Sequence, residues 1–333
     1  MKGTDIMKRP IRIAVTGPCG HIGYSLLFRI AAGNLFGADQ PVELRLLDRQ
    51  TPESGQKLLG TMMELSDCAF PTLAEMTACN SEEKLFEDAQ CVFLVGARPR
   101  GPGMDRSDLL KMNGEIFQRQ GRALDSHAAR DVRVVVVGNP CNTNAFIAMK
   151  NAPSLSPTCF SALMRLDQNR AQARVAEKLQ VPVADVQQVF VWGNHSNTMV
   201  TDLRFLRKNN CPVENPFIGE EYEAFLKNVA TRGGQIIKAR GASSAASAAS
   251  AAIDHMRDWV LGAQDRIVTM AVPSDGAYGI TEGLVFGFPC LCTGEGRYQI
   301  IKDLPITPEV QARLDVTRDE LMTEAQAVKD LLP

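Results

Sequence analysis

The first half of the chain alternates short, almost continuously apolar stretches with longer segments whose apolar residues recur at helical spacing. The apolar stretches predict four strands, at residues 11–16, 42–47, 91–95 and 132–137. The segments between them predict helices at about 21–32, 58–70 and 109–129. Strands without polar alternation are buried on both faces, which is typical of a parallel sheet covered by helices on each side. This part, residues 1–155, is therefore predicted as a doubly wound α/β domain.

The second half, residues 156–333, has a different pattern. Two segments, 167–179 and 220–227, predict helices, and the charged tail 308–332 predicts one amphipathic helix. Short strands with turn residues between them are predicted at 189–192, 267–272, 283–288 and 297–301. The order indicates a mixed α+β domain that contains some antiparallel sheet.

An alanine- and serine-rich segment, residues 241–252, departs from average composition without being disordered. Alanine is the best helix former, and an apolar stripe continues to Val260, so this segment predicts a helix with a face of small side chains. Such a face suits a tightly packed core helix, and it also suits a helix beside a ligand pocket or a subunit contact.

The composition of the 333 residues excludes several classes of protein. Apolar residues make up 45% and charged residues 22%, and the formal net charge is −2, which gives no support to binding of nucleic acid or of a membrane surface. No window approaches the length of an apolar membrane span, and the first ten residues lack the features of a secretory signal. Nine scattered cysteines indicate reduced thiols and a cytoplasmic location, and no spacing predicts a metal site.

A glycine-rich turn joins the first strand to the first helix, with Gly17, Gly20 and Gly23 in a GxxGxxG spacing. Glycines in this position permit a tight turn and a close approach of the backbone to a pyrophosphate at the helix N-terminus. Asp48 ends the second strand, where an acidic side chain can bind the ribose hydroxyls of NAD and would repel the 2′-phosphate of NADP. The adjacent Arg49 could serve a phosphate, so NAD is favoured and NADP remains the alternative.

Three further features predict acid–base chemistry on an anionic ligand. The loop at 96–106 carries three arginines among glycines and prolines, as expected for a movable cover over a carboxylate. Asp167 and Arg170 share one face of a helix start, where they either form an internal ion pair or orient a base and grip a carboxylate. His195 follows a short apolar strand and has polar neighbours, which makes it the best candidate for the base among four histidines.

At these positions the sequence resembles the cytosolic-type, NAD-dependent malate dehydrogenases of the lactate/malate dehydrogenase superfamily. The resemblance runs from about residue 11 to 289 through separated motifs in the same order, which include GPCGHIGYSLL, ELRLLDR, VGARPRGPGMDR, VVVGNPCNTNA, RLDQNRA, VWGNHSNTM and SDGAYGITEGLVFGFP. It implies a Rossmann-type NAD-binding domain at 1–155, a substrate domain at 156–333, and a homodimer.

The resemblance also implies a role for individual residues. His195 would be the acid/base and Asp167 its partner. The substrate-binding residues would be Arg100, Arg106, Asn139, Arg170 and, in the pocket near the nicotinamide, Ser243. The cofactor-binding residues would be Gly17, Gly20, His21, Ile22, Gly23, Asp48, Asn113, Gln120, Val137, Gly138 and Asn139.

Charge predicts the choice of substrate within this superfamily. Malate carries two carboxylates, of which Arg170 would bind one and Arg100 the other. With lactate, Arg100 would be enclosed without a partner, which should cost on the order of several kcal/mol. The expected reaction is therefore oxidation of L-malate to oxaloacetate, and the alternatives are a lactate or other 2-hydroxy acid dehydrogenase and a catalytically silent NAD-binding protein.

Overall fold

The computed structural model describes residues 8–49, 51–98 and 106–333, and of residues 106–109 it describes the backbone alone. Six strands of the first half are β1 (Ile11–Thr16), β2 (Val42–Leu47), β3 (Leu73–Cys79), β4 (Cys91–Leu94), β5 (Arg133–Val136) and β6 (Phe160–Ala162). They pair in parallel in the order β6-β5-β4-β1-β2-β3. The order reverses between β1 and β4, and in such sheets ligands bind outside the carboxyl ends of the strands at that point.

The strands of the second half are β7 (Val186–Gln187), β8 (Phe190–Trp192), β9 (Val200–Asp202), β10 (Arg207–Lys208), β11 (Cys211–Pro212), β12 (Ile267–Pro273), β13 (Val285–Gly294) and β14 (Arg297–Ile300). β12 pairs antiparallel with β6, and β13 and β14 continue beyond it, so one sheet of nine described strands crosses from the first half into the second. The predicted antiparallel strands therefore extend the main sheet. A hairpin of β8 and β9 lies beside it, and a small sheet is formed by β7, β10 and β11.

The helices are α1 (His21–Ala31), α2 (Pro52–Asp67), α3 (Glu82–Phe86), α4 (Arg106–His127), α5 (Cys141–Lys150), α6 (Arg165–Leu179), α7 (Glu220–Arg240), α8 (Ala246–Leu261) and α9 (Pro308–Ala327). Several predictions were wrong at their ends. The helix predicted from residue 241 begins at Ala246, and the tail helix predicted at 308–332 ends at Ala327. The helix predicted at 58–70 begins at Pro52, because Thr51 accepts a hydrogen bond from the Ser54 N–H and caps it there. The helix predicted at 220–227 continues to Arg240, through Gly233 and Gly234.

The small-residue helix α8 is a core helix. Ala248, Ala249, Ala251 and Ala252 are buried, and α8 packs on α1, α6 and β13. Because these side chains are short, the packed elements approach closely. Helix α8 therefore lies in contact with both α1 and α6, the helix that carries Asp167. Among the described residues, no helix combines the length and the apolar character needed to span a bilayer.

Candidate active site

The histidine and the aspartate chosen from the sequence are in direct contact. His195 lies in the turn between β8 and β9, and Asp167 lies in the first turn of α6. The Nδ1 atom of His195 is 2.5 Å from Oδ2 of Asp167. The Asp167 side chain is completely buried, whereas 21% of the His195 side chain is exposed. The imidazole is therefore fixed on one side, and its Nε2 atom is left for a ligand.

The charge around the imidazole favours its protonated form. Burial alone lowers the pKa of His195, but the negative charge of Asp167 and the hydrogen bond to it outweigh burial, so the pKa of His195 is raised above its usual value. The positive charge of Arg170 partly offsets this effect. A histidine held in this way can take a proton and stabilise it near neutral pH.

Arg170 completes the cluster from the next position on the same face of α6. Its Nη1 atom donates to Oδ1 of Asp167 at 3.1 Å, and its Nη2 atom donates to Ser244 at 3.1 Å. Because Asp167 accepts from both residues, one buried carboxylate orients the base and the guanidinium together. Ser243, predicted as a pocket residue, is exposed, and its backbone carbonyl accepts from Arg240. The hydrogen bond from Arg170 goes to the neighbouring Ser244, which the sequence analysis did not name, and the role of Ser243 near the nicotinamide stays a prediction.

A cavity of about 350 Å³ opens in front of this cluster. Asp167, Arg170 and His195 line one side, and the residues opposite them come from the turn after His195 and from α7. The latter are Ser196, Asn197, Met199, Ala230, Thr231, Gly233 and Gly234. A Cβ on Gly234 would meet nothing within 4 Å, and a Cβ on Gly233 would lie 3.9 Å from Nη2 of Arg170, so α7 approaches the guanidinium closely at these glycines.

Asn142 is a site residue that the sequence analysis missed. It is fully buried near the start of α5, and its Oδ1 atom accepts from the backbone N–H of His195 at 3.0 Å. Its Nδ2 atom donates to the carbonyls of Gly193 and Val285, at 3.3 and 3.0 Å. Asn142 therefore fixes the main chain that carries His195. The only sequence signal was a polar residue inside the GNPCNTN motif.

The glycine turn forms a second part of the site, at the carboxyl end of β1. Gly17 has a positive φ of 65°, and a Cβ on it would lie 2.9 Å from the Cα of Gly96. A Cβ on Gly23 would lie 2.2 Å from the carbonyl oxygen of Gly17. Both positions thus require glycine. Gly20, His21 and Ile22 follow in the turn and the first turn of α1, where Gly20 supplies no side-chain cap to the helix amides.

Asp48 lines a cleft of about 650 Å³. Other residues that line this cleft include Thr16, Gly17, Gly96, Ala97 and Gln120. Oδ1 of Asp48 accepts from the Ser54 hydroxyl at 2.9 Å, which ties the carboxylate to the start of α2. Arg49 is exposed and also lines the cleft. The Oε1 atom of Gln120 is buried and has no partner among the described residues, so it can accept a hydrogen bond from a ligand.

Asn113 joins the loops that follow β4 and β5. It is buried in α4, its Oδ1 atom accepts from the Arg98 N–H at 2.8 Å, and its Nδ2 atom donates to the Asn139 carbonyl at 3.1 Å. The structure thus shows Asn113 bound to backbone. Val137 and Gly138 are buried at the end of β5, with both amides donating to Leu94, and the exposed Asn139 follows them.

Two of the predicted arginines cannot be compared with this geometry. Arg100 lies outside the described residues. Arg106 begins α4, but its side chain is also outside them. Within the described part of the chain, no group of histidine, cysteine, aspartate and glutamate could hold a metal ion.

Comparison with known proteins identifies the same two-part organisation. Residues 11–161 match the family model of the lactate/malate dehydrogenase NAD-binding domain, and residues 164–332 match that of the lactate/malate dehydrogenase α/β C-terminal domain. Malate dehydrogenase from Naegleria fowleri is 46% identical, with a TM-score of 0.94 over 98% of this chain and 100% of that one.

Lactate dehydrogenase is also among the similar structures. The enzyme from Trichomonas vaginalis, solved in complex with NADH and oxamate, is 39% identical, with a TM-score of 0.90 over 96% of this chain and 98% of that one. An apo variant of the same enzyme is 38% identical, with a TM-score of 0.91 over 97% of this chain and 98% of that one. Both activities of the family therefore occur among proteins of similar sequence.

Proposed function

The chain belongs to the lactate/malate dehydrogenase family and has its NAD-binding domain, and from this premise we propose that it is an L-malate dehydrogenase. The reaction is the reversible transfer of a hydride between C2 of malate and NAD, which gives oxaloacetate and NADH. The observation that supports it most strongly is the contact of His195 and Arg170 with one buried carboxylate, Asp167. That arrangement supplies a base for a hydroxyl and a cation for a neighbouring carboxylate.

The residues around the glycine turn fit NAD. A Cβ on Gly17 or Gly23 would collide with neighbouring backbone, so only glycine permits the tight turn that would bring backbone amides to a pyrophosphate. Asp48 faces the cleft where ribose hydroxyls can donate to it. Further cofactor contacts are proposed for Gly20, His21, Ile22, Gln120, Val137, Gly138 and Asn139, and through the loop backbone for Asn113. When bound, NAD supplies the hydride acceptor; the protein supplies orientation and proton transfer.

In malate oxidation, neutral His195 takes the proton of the C2 hydroxyl at Nε2. Nδ1 keeps its own proton and donates a hydrogen bond to Asp167, and the carboxylate stabilises the imidazolium that forms. In the reverse direction the same Nε2–H protonates the oxygen at C2 of oxaloacetate. Arg170, which lines the cavity, binds the C1 carboxylate with N–H groups that its bonds to Asp167 and Ser244 leave available.

Preference for malate over lactate is proposed to depend on Arg100. A second guanidinium would pair with the second carboxylate of malate, and Arg106 would polarise the carbonyl of oxaloacetate. With pyruvate or lactate, an enclosed Arg100 would lack its anion, which should reduce kcat/KM by ~10³-fold or more. The 46% identity to a malate dehydrogenase supports this choice over the lactate reaction.

The test is NADH oxidation by the purified protein with oxaloacetate, with pyruvate, and with NADPH in place of NADH. We expect fast turnover with oxaloacetate and NADH, and slow turnover when pyruvate replaces oxaloacetate or NADPH replaces NADH. A preference for pyruvate would overturn the malate assignment, and binding of NADH without turnover would overturn the enzyme assignment. Arg100→Leu should lower the ratio of kcat/KM for oxaloacetate to kcat/KM for pyruvate, and an unchanged ratio would refute the role of Arg100.

We also propose that the protein is a cytoplasmic homodimer. Light scattering would test the subunit number, and cell fractionation would test the location.

A further inference from the structure

The turn that carries His195 rests on the C-terminal helix α9. Gly193, which has a positive φ of 97°, comes so close to this helix that a Cβ would lie 2.5 Å from the side chain of Thr317. The next backbone N–H, that of Asn194, donates to the Thr317 hydroxyl at 2.9 Å. Thr317 is fully buried, so this contact is part of the packed interior. The catalytic turn is therefore built against an element that begins more than a hundred residues later in the chain.

One carboxylate oxygen of α9 accepts hydrogen bonds from residues on both sides of His195 in the chain. Oε2 of Glu320 accepts from Nδ2 of Asn194 at 2.9 Å, from the Ser196 hydroxyl at 2.5 Å and from the Thr198 hydroxyl at 2.7 Å. These three donors occupy alternate positions, and His195 lies between the first two. Hydrogen bonds to an ionised carboxylate are roughly twice as strong as neutral ones. Glu320 thus stabilises one conformation of the turn.

A second carboxylate of α9 links this turn to the residues behind it. Glu324 accepts from Nδ2 of Asn194 at 3.3 Å and from the hydroxyl of Thr143 on α5. Thr143 is adjacent to Asn142, which accepts the N–H of His195. Three elements, namely α9, α5 and the β8–β9 turn, therefore share one hydrogen-bond network, and His195 is the residue that this network surrounds.

We propose that Glu320 is a positioning residue for His195, through the donors of Asn194, Ser196 and Thr198. Loss of its carboxylate would leave the buried Asn194 and the half-buried Ser196 and Thr198 without their common acceptor, and the turn would shift to satisfy these donors elsewhere. The imidazole would then move relative to Asp167 and to the substrate. A displacement of about 1 Å can reduce a proton-transfer rate by ~10²-fold. This inference rests on the proposed function, because it takes His195 as the base.

The decisive variants are Glu320→Ala and Glu320→Gln, with Asp319→Asn as a matched control. Asp319 is the neighbouring carboxylate, it is mostly exposed, and its described ion pair is to Arg318. We expect kcat for oxaloacetate reduction to fall about 10- to 100-fold in Glu320→Ala. The loss should be smaller in Glu320→Gln, which keeps an acceptor oxygen, and absent in the control. The KM for NADH should not change, because the cofactor contacts lie at another part of the site.

The pH profile separates positioning from a general loss of stability. The charged groups on the elements packed against this turn include Asp167 and Arg170 of α6, Glu223 and Lys227 of α7, and Arg313, Glu320 and Glu324 of α9. If the imidazole moves away from Asp167, the alkaline limb of kcat/KM for oxaloacetate shifts to lower pH, because reduction needs protonated His195. Unchanged kcat and an unchanged limb in a folded Glu320→Ala protein would overturn the proposal.

A second route keeps the proposal testable if Glu320→Ala does not fold. Ser196→Ala combined with Thr198→Val removes two donors and leaves α9 intact, and we expect the same fall in kcat and the same shift of the alkaline limb. Normal kinetics in this double variant would overturn the proposal. The variant His195→Gln separates the proposed function from the role of Glu320. Full activity of this variant would refute the proposed function. An inactive His195→Gln variant, together with normal kinetics of the Ser196 and Thr198 double variant, would refute only the role of Glu320.

Discussion

The Nδ1 atom of His195 lies 2.5 Å from Oδ2 of Asp167, although the two residues belong to different elements and are 28 positions apart in the chain. The aspartate has no exposed side-chain surface, and its other oxygen accepts from Arg170. One buried carboxylate therefore sets the tautomer of the base and the direction of the guanidinium. This coupling predicts that substitutions of Asp167 affect proton transfer and carboxylate binding together.

Asp167→Asn should lower kcat for oxaloacetate reduction by about 10²- to 10⁴-fold, because the imidazolium loses its counter-charge and the tautomer is no longer fixed. The pKa of His195 should fall, since the negative charge of Asp167 raises it. Reduction uses protonated His195, so its rate should decline at a lower pH than in the parent protein. Steady-state kinetics between pH 5 and 10 would measure both effects. Asp88→Asn, at a mostly exposed carboxylate that pairs with Arg12, is the matched control.

Arg170→Lys should raise the KM for oxaloacetate by about 10²-fold, because an ammonium cannot make the two parallel hydrogen bonds of a guanidinium. A smaller fall in kcat should accompany it, since Arg170 also orients Asp167. Arg174→Lys is the control one turn later on α6, where the guanidinium pairs with Glu177 at 2.6 Å. Equal KM values in the two variants would contradict the assignment of Arg170 to the substrate carboxylate.

The sequence predicted strands whose apolar residues run together or alternate regularly, and it missed elements without such a pattern. The bounds of β1 and β2 match the prediction, whereas the edge strand β3 alternates irregularly between exposed and half-buried residues and was not predicted. The strand β6 has only three residues, too few for a period. Most of α5 is buried, including three polar residues in its first turn, so it lacks the amphipathic stripe that identifies a helix.

The candidate site divides in the same way. His195, Asp167 and Arg170 were identified because their residue types suit acid–base chemistry and recur in a family motif. Asn142 and Glu320 act on the backbone and side chains of the catalytic turn, and their importance depends on contacts 53 and 124 positions apart in the chain. From the sequence alone, Glu320 is one more charge on a charged helix. Such positioning residues become visible only when the tertiary structure is known.

Asp48→Ser should weaken the preference for NADH. Removing a carboxylate that accepts ribose hydroxyls should raise the KM for NADH by about 10- to 100-fold. Turnover with NADPH should increase, because the repulsion of a 2′-phosphate disappears while Arg49 remains at the cleft. The ratio of kcat/KM for the two cofactors measures the change. Asp39→Ser, at an exposed aspartate paired with Lys8, should leave that ratio unaltered; an unaltered ratio in Asp48→Ser as well would refute the role of Asp48.

His255 should make the folded protein sensitive to acid. It is buried in α8 with both ring nitrogens lacking a partner among the described residues, and burial together with the charge of Arg165 lowers its pKa to about 3. The folded state therefore keeps His255 neutral, whereas the unfolded chain protonates it below about pH 6.5. The stability linked to this residue is present above pH 6.5 and is lost as the pH falls toward 3. By pH 5 the free energy of unfolding should have fallen by about 2 kcal/mol. Urea unfolding at pH 8 and pH 5 would measure this loss. His255→Phe should reduce the difference in the free energy of unfolding between the two pH values. His127→Asn, at an exposed histidine, should leave that difference unchanged.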